Sequence, residues 1–253
     1  MLTSERKAYI LDLLRRDGRI LAAPLSRGLG LSEDTIRRDL RELASEGLLQ
    51  RVHGGALPAS PAMADYPSRL AISAPAKAAL ARAAAGLISP GQVVFIDGGT
   101  THVQLARALD PDLRATVVTH SPSVAVELAA HPRVQVEVIG GRLFKHSVAA
   151  MGAATLEGIG RVRPDLFFMG VTGVHADAGL TTGDAEEAAV KRAISAQASE
   201  TIVLATSDKL GAASPFLIAP LAEAVTLVVE NLAPESALAG IAALGVAIVR
   251  AAA

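Results

Sequence analysis

With 253 residues, the chain is long enough for a small domain plus a full α/β domain, each with its own core. Half of it is apolar (51%) but only 3% is aromatic, so closely packed Ala, Val, Leu and Ile must build those cores, and the absence of cysteine excludes disulfides, thiolate metal sites and a cysteine nucleophile. A net charge of −1 argues against a nucleic-acid partner until the parts are counted separately: residues 1–57 carry 10 Lys+Arg against 8 Asp+Glu, leaving +2, and the remainder 14 against 17, leaving −3.

The six histidines show no metal-ligand spacing, so neither a metal nor another cofactor is expected. The sequence has no charged-then-apolar leader and no apolar run of bilayer length, which gives the expectation of a cytoplasmic protein without a membrane partner.

In chain order, residues 6–16 predict a helix with Ile10, Leu13 and Leu14 inward, and Pro24 opens a second short helix carrying Leu25 and Leu29. After a turn at Gly30, Ser32 stands at a helix N-cap, Glu33 and Asp34 fill the first turn, and Ile36, Leu40 and Leu43 make one apolar stripe. That leaves Thr35, Arg37, Arg38 and Arg41 outward, where guanidinium groups can grip phosphates and bond guanine edges in a major groove. Taken alone, the RRDLRE string equally suits a solvated face balanced by Glu42 and Glu46. Its context favours recognition: Gly47 ends the helix, and residues 48–55 read as two short strands about a Gly-Gly turn, a basic wing bearing Arg51 and His53. The whole resembles a winged helix-turn-helix, with Ser32, Thr35, Arg37, Arg38, Arg41, Arg51 and His53 as candidate contacts to a double-stranded DNA operator. So weakly charged a head should hold one half-site poorly, which predicts paired subunits in a homo-oligomer, a dimer or higher.

Residues 58–67 hold three prolines and no sustained period, so they read as a linker. The division expected is a DNA-binding domain over 1–57, a linker over 58–74 and an effector-binding domain over 75–253. Pro75 starts a helix with Lys77 near its beginning and Leu80, Ala83, Ala84 and Leu87 on one face; residues 89–91 break it, and 93–96 form a strand. That strand runs into Asp97-Gly98-Gly99-Thr100-Thr101 and then a helix, the outline of a phosphate site in which glycines admit the anion and helix N–H groups and threonine hydroxyls donate to it. A tight βα turn with an ordinary threonine cap would read the same way. No Walker or dinucleotide-binding glycine pattern is present.

Beyond it, strands at 116–119, 134–139, 166–169, 201–206, 225–229 and 246–249 alternate with helices, including one over 185–198, which predicts a mainly parallel sheet covered on both faces with ligands at the strand C-termini. Polar residues collect at those ends: Asp97 to Thr101, then Thr119, His120 and Ser121, and later Asp208 and Lys209. Lys209 is a counter-charge for a phosphate, and Asp97 or Asp208 is placed to take sugar hydroxyls.

The motif TIRRDL followed by Arg51-Val52-His53-Gly54-Gly55-Ala56 resembles the DNA-binding domain of the DeoR family of bacterial transcriptional repressors over residues 2–57. DGGTT after a strand, the E-A-x-x-K of Glu187-Ala188-Ala189-Val190-Lys191 and the S-D-K-x-G that starts at Ser207 are similar to the sugar-phosphate-sensing domain of that family, whose fold is similar to ribose-5-phosphate isomerase. The resemblance implies a repressor of carbohydrate-metabolism genes that is relieved by a phosphorylated sugar or derivative. In one departure, His120 stands where the family usually has Asn. The alternative is a sugar-phosphate isomerase or deaminase carrying a DNA-binding head. Against it, the turn that matches the isomerase's D-G-A-D is Met169-Gly170-Val171-Thr172, without carboxylates, and Glu187 with Lys191 reads as a surface i, i+4 pair. No catalytic residue is therefore expected.

Overall fold

The computed structural model describes residues 2–60, 65–221 and 225–252. The N-terminal part runs α1 (Thr3–Asp17), β1 (Ile20–Leu21), α2 (Ala22–Leu29), α3 (Glu33–Ser45), β2 (Leu49–Val52) and β3 (Gly55–Pro58). The Ser32 hydroxyl caps α3 by accepting the Thr35 N–H at 3.2 Å, and Gly30 and Gly47 take the left-handed turns that end α2 and follow α3. Ile36, Leu40 and Leu43 close on Ile10, Leu14, Ile20 and Leu49 in one small core, each large side chain contributing roughly 1.5–3 kcal/mol by burial.

Two local features complete this head. Asp39, inside the TIRRDL string, is buried and takes a two-pronged contact from Arg6 of α1, at 2.5 Å from Nε and 3.0 Å from Nη2. The Asp39 bond raises the Arg6 pKa against the cost of burial and locks α1 onto α3. In the wing, β1 pairs antiparallel with β3 so closely that a Cβ on Gly55 would lie 1.8 Å from the Ile20 carbonyl oxygen, so only glycine fits.

The rest runs α4 (Tyr66–Ala71), α5 (Ala74–Ala85), β4 (Val93–Ile96), α6 (Thr100–Arg107), β5 (Thr116–Thr119), α7 (Pro122–Leu128), β6 (Gln135–Val138), β7 (Arg142–Phe144), β8 (Ala149–Met151), α8 (Ala153–Ile159) and β9 (Leu166–Gly170). It continues with β10 (Gly173–His175), β11 (Gly179–Thr182), α9 (Ala185–Ser195), β12 (Glu200–Ala205), β13 (Phe216–Ala219), β14 (Val225–Glu230), α10 (Glu235–Ala242) and β15 (Ala247–Ala251). Seven parallel strands form the main sheet in the order β15-β14-β12-β9-β4-β5-β6. Alternation along β4 sends Val94 and Ile96 to the face covered by α5, α6 and α7, and Phe95 to the face covered by α8, α9 and α10. The strand order reverses between β4 and β9, so a crevice opens beyond their carboxyl ends, at Asp97 and Gly170.

Several elements depart from the expectation. The β7–β8 hairpin and the antiparallel β10-β11-β13 sheet have strands too short to show a period. Leu87 lies past the end of α5 and is 37% exposed, so it is not on the inward face. In the segment read as a linker, Pro58 ends β3, Ala59 bridges to Ala213, the Ser60 hydroxyl donates to the Thr172 carbonyl at 2.5 Å, and α4 is helical, capped by Asp65. Residues 61–64 of that segment lie outside the described residues.

Candidate functional site

On the head, α3 leaves Arg37, Arg38 and Arg41 exposed, with Arg51 and His53 exposed on the wing and Thr35 half-buried beside Ser32, their hydroxyls 2.9 Å apart. Arg37 is tied to Glu33 at 2.6 Å and lies 3.6 Å from Asp34, pairs worth about 0–1 kcal/mol at such exposure. Arg41 donates weakly to the Arg37 carbonyl at 3.4 Å, and among the described residues Arg38 has no acidic partner within salt-bridge distance. Arg38, like Arg51 of the wing, thus has a guanidinium free to meet a nucleic acid.

The second site fills the crevice at the ends of β4 and β9. Its wall holds residues 98–102 of the β4–α6 turn, 170–172 after β9, Thr182, Glu187 and Lys191, Lys209 after β12, His146 and Ser147 from the β7–β8 turn, and Arg69 of α4. The glycine pair has a steric reason: a Cβ on Gly98 would meet the Ala149 Cβ at 2.8 Å and the Ser147 carbonyl at 2.9 Å, and Gly99 has φ +114°. The turn therefore brings backbone, with the amides of Thr100 and Thr101 at the start of α6, to the cavity.

Beneath the wall lies Asp97, 1% exposed, with both oxygens occupied. Oδ1 accepts the Gly98 N–H at 2.7 Å and lies 3.2 Å from His120 Nε2; Oδ2 accepts the Gly170 N–H at 2.8 Å and the Lys191 ammonium at 2.5 Å. Burial pushes this carboxyl up, but Lys191 first, and then His120, hold it well below the ordinary carboxylate range. Lys191 is the mirror case: burial alone would lower its pKa, yet Asp97 and Glu187, at 3.7 Å, raise it. Glu187 also accepts the Thr182 hydroxyl, and Asp184 caps α9 through the Glu187 N–H at 2.9 Å.

The charges that remain are cationic. Lys209 is half-buried, and desolvation, with repulsion from Lys77, Arg69 and Lys191, pushes its pKa down to about 8 despite Asp208. Arg69 is lowered by burial too; its Nη2 donates to the His146 carbonyl, and its carbonyl accepts the Lys77 ammonium. Burial takes His102 down to about 4, so its ring is neutral at pH 7. The buried atoms Arg69 Nε, His102 Nε2 and Ser147 Oγ have no hydrogen-bond partner among the described residues, and all three residues line the cavity. Buried polar atoms without partners cost about 1–3 kcal/mol each, which a polar ligand would offset. No group of acidic and histidine side chains suited to a metal occurs among the described residues.

Residues 6–61 match the DeoR-like helix-turn-helix domain, and residues 72–231 match the DeoR C terminal sensor domain. The chain belongs to the DeoR family. Among its relatives, the HTH-type transcriptional regulator GlpR of Haloferax volcanii is 37% identical over 88% of this chain and 88% of its own. The glycerol-3-phosphate regulon repressor of Escherichia coli is 32% identical, covering 83% of this chain and 84% of its own, and the HTH-type transcriptional repressor GlcR of Bacillus subtilis is 32% identical over 92% and 90%. Among solved structures, ribose 5-phosphate isomerase A of Methanocaldococcus jannaschii is similar over 53% of this chain and 52% of its own, at 16% identity and a TM-score of 0.39.

In this DeoR-family chain, the structure brings Gly98, Gly99, Thr100, Thr101 and Lys209 to one cavity but leaves other expected residues out of its wall. Asp97 is not free for a sugar hydroxyl, because its four contacts occupy both oxygens. Thr119 donates to the Ile96 carbonyl at 2.7 Å, Ser121 donates to the Val148 carbonyl at 2.8 Å, and His120 is buried against Phe95 with ring centroids 5.6 Å apart. These three join strand ends below the cavity, and Asp208 is exposed outside it. The Glu187–Lys191 surface pair is also corrected: the two are 5% and 3% exposed and form the cavity floor. Their signal was legible, since 187, 190, 191 and 194 share one face of α9 with buried Val190 and Ile194. Arg69, His146, Ser147 and Thr182 were missed because α4 and the β7–β8 and β10–β11 hairpins show no sequence period to place them; His102 directly follows the Gly98–Thr101 turn on α6, and that adjacency was the signal that could have found it.

Proposed function

We propose that the chain is a DNA-binding transcriptional repressor of carbohydrate-metabolism genes, and that a phosphorylated sugar or derivative in the β4–β9 crevice relieves it. The observation that carries the effector side is the cation excess of the cavity. Arg69 and Lys209 face the Gly98–Gly99 turn with no described carboxylate in or beneath the cavity wall free to neutralise them, since Asp97 and Glu187 are committed to Lys191 and Asp208 lies outside the wall. A phosphate monoester fits: it brings compact negative charge and acceptors for the amides, the threonine hydroxyls and the unpartnered Arg69 Nε. The glycerol-3-phosphate regulon and GlcR repressors support the repressor sense and the class of genes.

The DNA side rests on Thr35, Arg38 and Arg41 of α3 and on Arg51 and His53 of the wing, with Arg37 available once its surface pair opens and Ser32 holding the helix end. The head spans 1–57 and the sensor 75–253, joined by 58–74, and we take the working form to be a homo-oligomer reading two half-sites. A regulator of DNA works in the cytoplasm; no helix among the described residues is long and apolar enough to cross a membrane. The cavity binds without turnover, since no carboxylate in it is free to act as a general base. The test is a thermal-shift screen of phosphate monoesters against the matched unphosphorylated sugars. Stabilisation by phosphorylated members alone is expected; equal stabilisation by the unphosphorylated sugars would overturn the assignment.

A further inference from the structure

The segment between the two domains starts and ends on the wall of the crevice. At its first end Ala59 bridges to Ala213, and the Ser60 hydroxyl donates to the carbonyl of Thr172, a wall residue. At its other end α4 sends Arg69 into the wall, where Nη2 donates to the His146 carbonyl and Nε is buried with no partner among the described residues. Among the described residues, α4 is otherwise held by the Lys77 ammonium on the Arg69 carbonyl and by packing on α6. None of its residues is buried; Leu70 is 44% exposed, and Ile72, just past its end, 40%. Like charge lies close to its anchor: Lys77 bonds the Arg69 carbonyl and Lys209 lies across the same wall, while the wall carboxylate that acts on Arg69, Glu187, is shared with Lys191. Without an anion, this arrangement sets cations against one another at the point where the interdomain segment meets the sensor.

We propose that Arg69 binds the effector's phosphate directly, making the interdomain segment part of the site and Arg69 the residue that passes occupancy to the DNA-binding head. The inference rests on the anion-site reading above. A dianion between Arg69 and Lys209 turns their repulsion into shared attraction, draws α4 toward the Gly98–Gly99 turn, and shifts the only described helix that lies within residues 58–74. The two cations then have separable roles. Lys209 sits on the sensor and contributes affinity alone. Arg69 contributes affinity and also coupling.

The experiment compares wild type, Lys209→Ala, Arg69→Ala and Arg69→Gln, with the most stabilising phosphate monoester of the screen as probe and sodium chloride added to equalise ionic strength. Probe affinity is measured without DNA, and operator affinity with and without saturating probe. Each substitution is expected to weaken probe binding about ten- to hundredfold, the loss of one charge-assisted contact. With the probe raised to saturation, Lys209→Ala should release operator as fully as wild type, whereas both Arg69 variants should stay bound. Release by a probe-saturated Arg69 variant to the wild-type extent would overturn the inference and leave the site reading intact. If no monoester stabilises wild type, the site reading falls and the inference with it. Should the Arg69 variants fail to fold, hydrogen exchange on wild type decides: probe should protect the amides of residues 66–71, and unchanged exchange there would refute the proposal.

Discussion

Effector affinity should depend on pH with a sign set by Lys209. In the free protein its pKa lies at about 8, so the ammonium is mostly charged at pH 7 and mostly neutral at pH 9. A bound phosphate raises that pKa, because the ammonium gains a partner. A group whose pKa is raised in the complex contributes affinity in full below its free value, and the contribution is lost as pH climbs toward the bound value. A charge-assisted contact worth about 1.5–3 kcal/mol corresponds to a rise of roughly one to two pH units, so affinity should fall about ten- to hundredfold between pH 8 and about pH 9–10. On the acid side, a phosphate monoester loses its second proton near about pH 6, so affinity should climb from pH 5 to 7. Asp97 stays ionised and His102, near 4, stays neutral across this range, so neither blurs the profile. The assay is calorimetric titration with one phosphate monoester from pH 5 to 10, on wild type and Lys209→Ala. The variant should keep the acid limb and lose the alkaline one. A wild-type profile flat between pH 7.5 and 9.5, or an equal alkaline decline in the variant, would refute the reasoning.

Replacing Arg38 with Ala should cost about 1–3 kcal/mol of operator affinity and leave effector binding unchanged, as read by mobility shift beside calorimetry. Operator affinity of wild type should fall steeply with salt, and a flat dependence would argue against phosphate contacts by α3 and the wing. Asp39→Ala removes the buried partner of Arg6 and should destabilise the head by about 3 kcal/mol, the low end for such a pair because Arg6 keeps a solvent-facing edge; the check is thermal unfolding with a probe specific to the head. Gly98→Ala drives a Cβ into Ala149 and the Ser147 carbonyl, so it should abolish effector binding while operator affinity persists.

The parts of this fold with sustained period were legible from the residues. The apolar stripe of α3, its Ser32 cap and the strands at β4 and β5 lie where the pattern puts them, because one buried face imposes its period on the sequence. The crevice was also legible in outline, since strand ends and the Gly98–Gly99 turn mark it locally. What the sequence hides is which polar side chains point into it. Asp97 looks like a ligand in the string DGGTT but is consumed by Lys191, 94 positions away, and that partner looked like half of a surface pair. Arg6 and Asp39 are hidden for the same reason, because a buried ion pair between distant positions leaves no local trace. Arg69 could not be placed from a proline-rich stretch whose helix is only six residues long.

The central claim, that a phosphate monoester in the β4–β9 crevice releases the head from DNA, is tested most directly by titrating a preformed operator complex with a sugar phosphate and, in parallel, with the same sugar lacking its phosphate. The account predicts saturable release by the phosphorylated form alone, displaced to higher concentration in Lys209→Ala. Release by both forms alike, or release by the sugar phosphate at the same concentration in Lys209→Ala as in wild type, would contradict it.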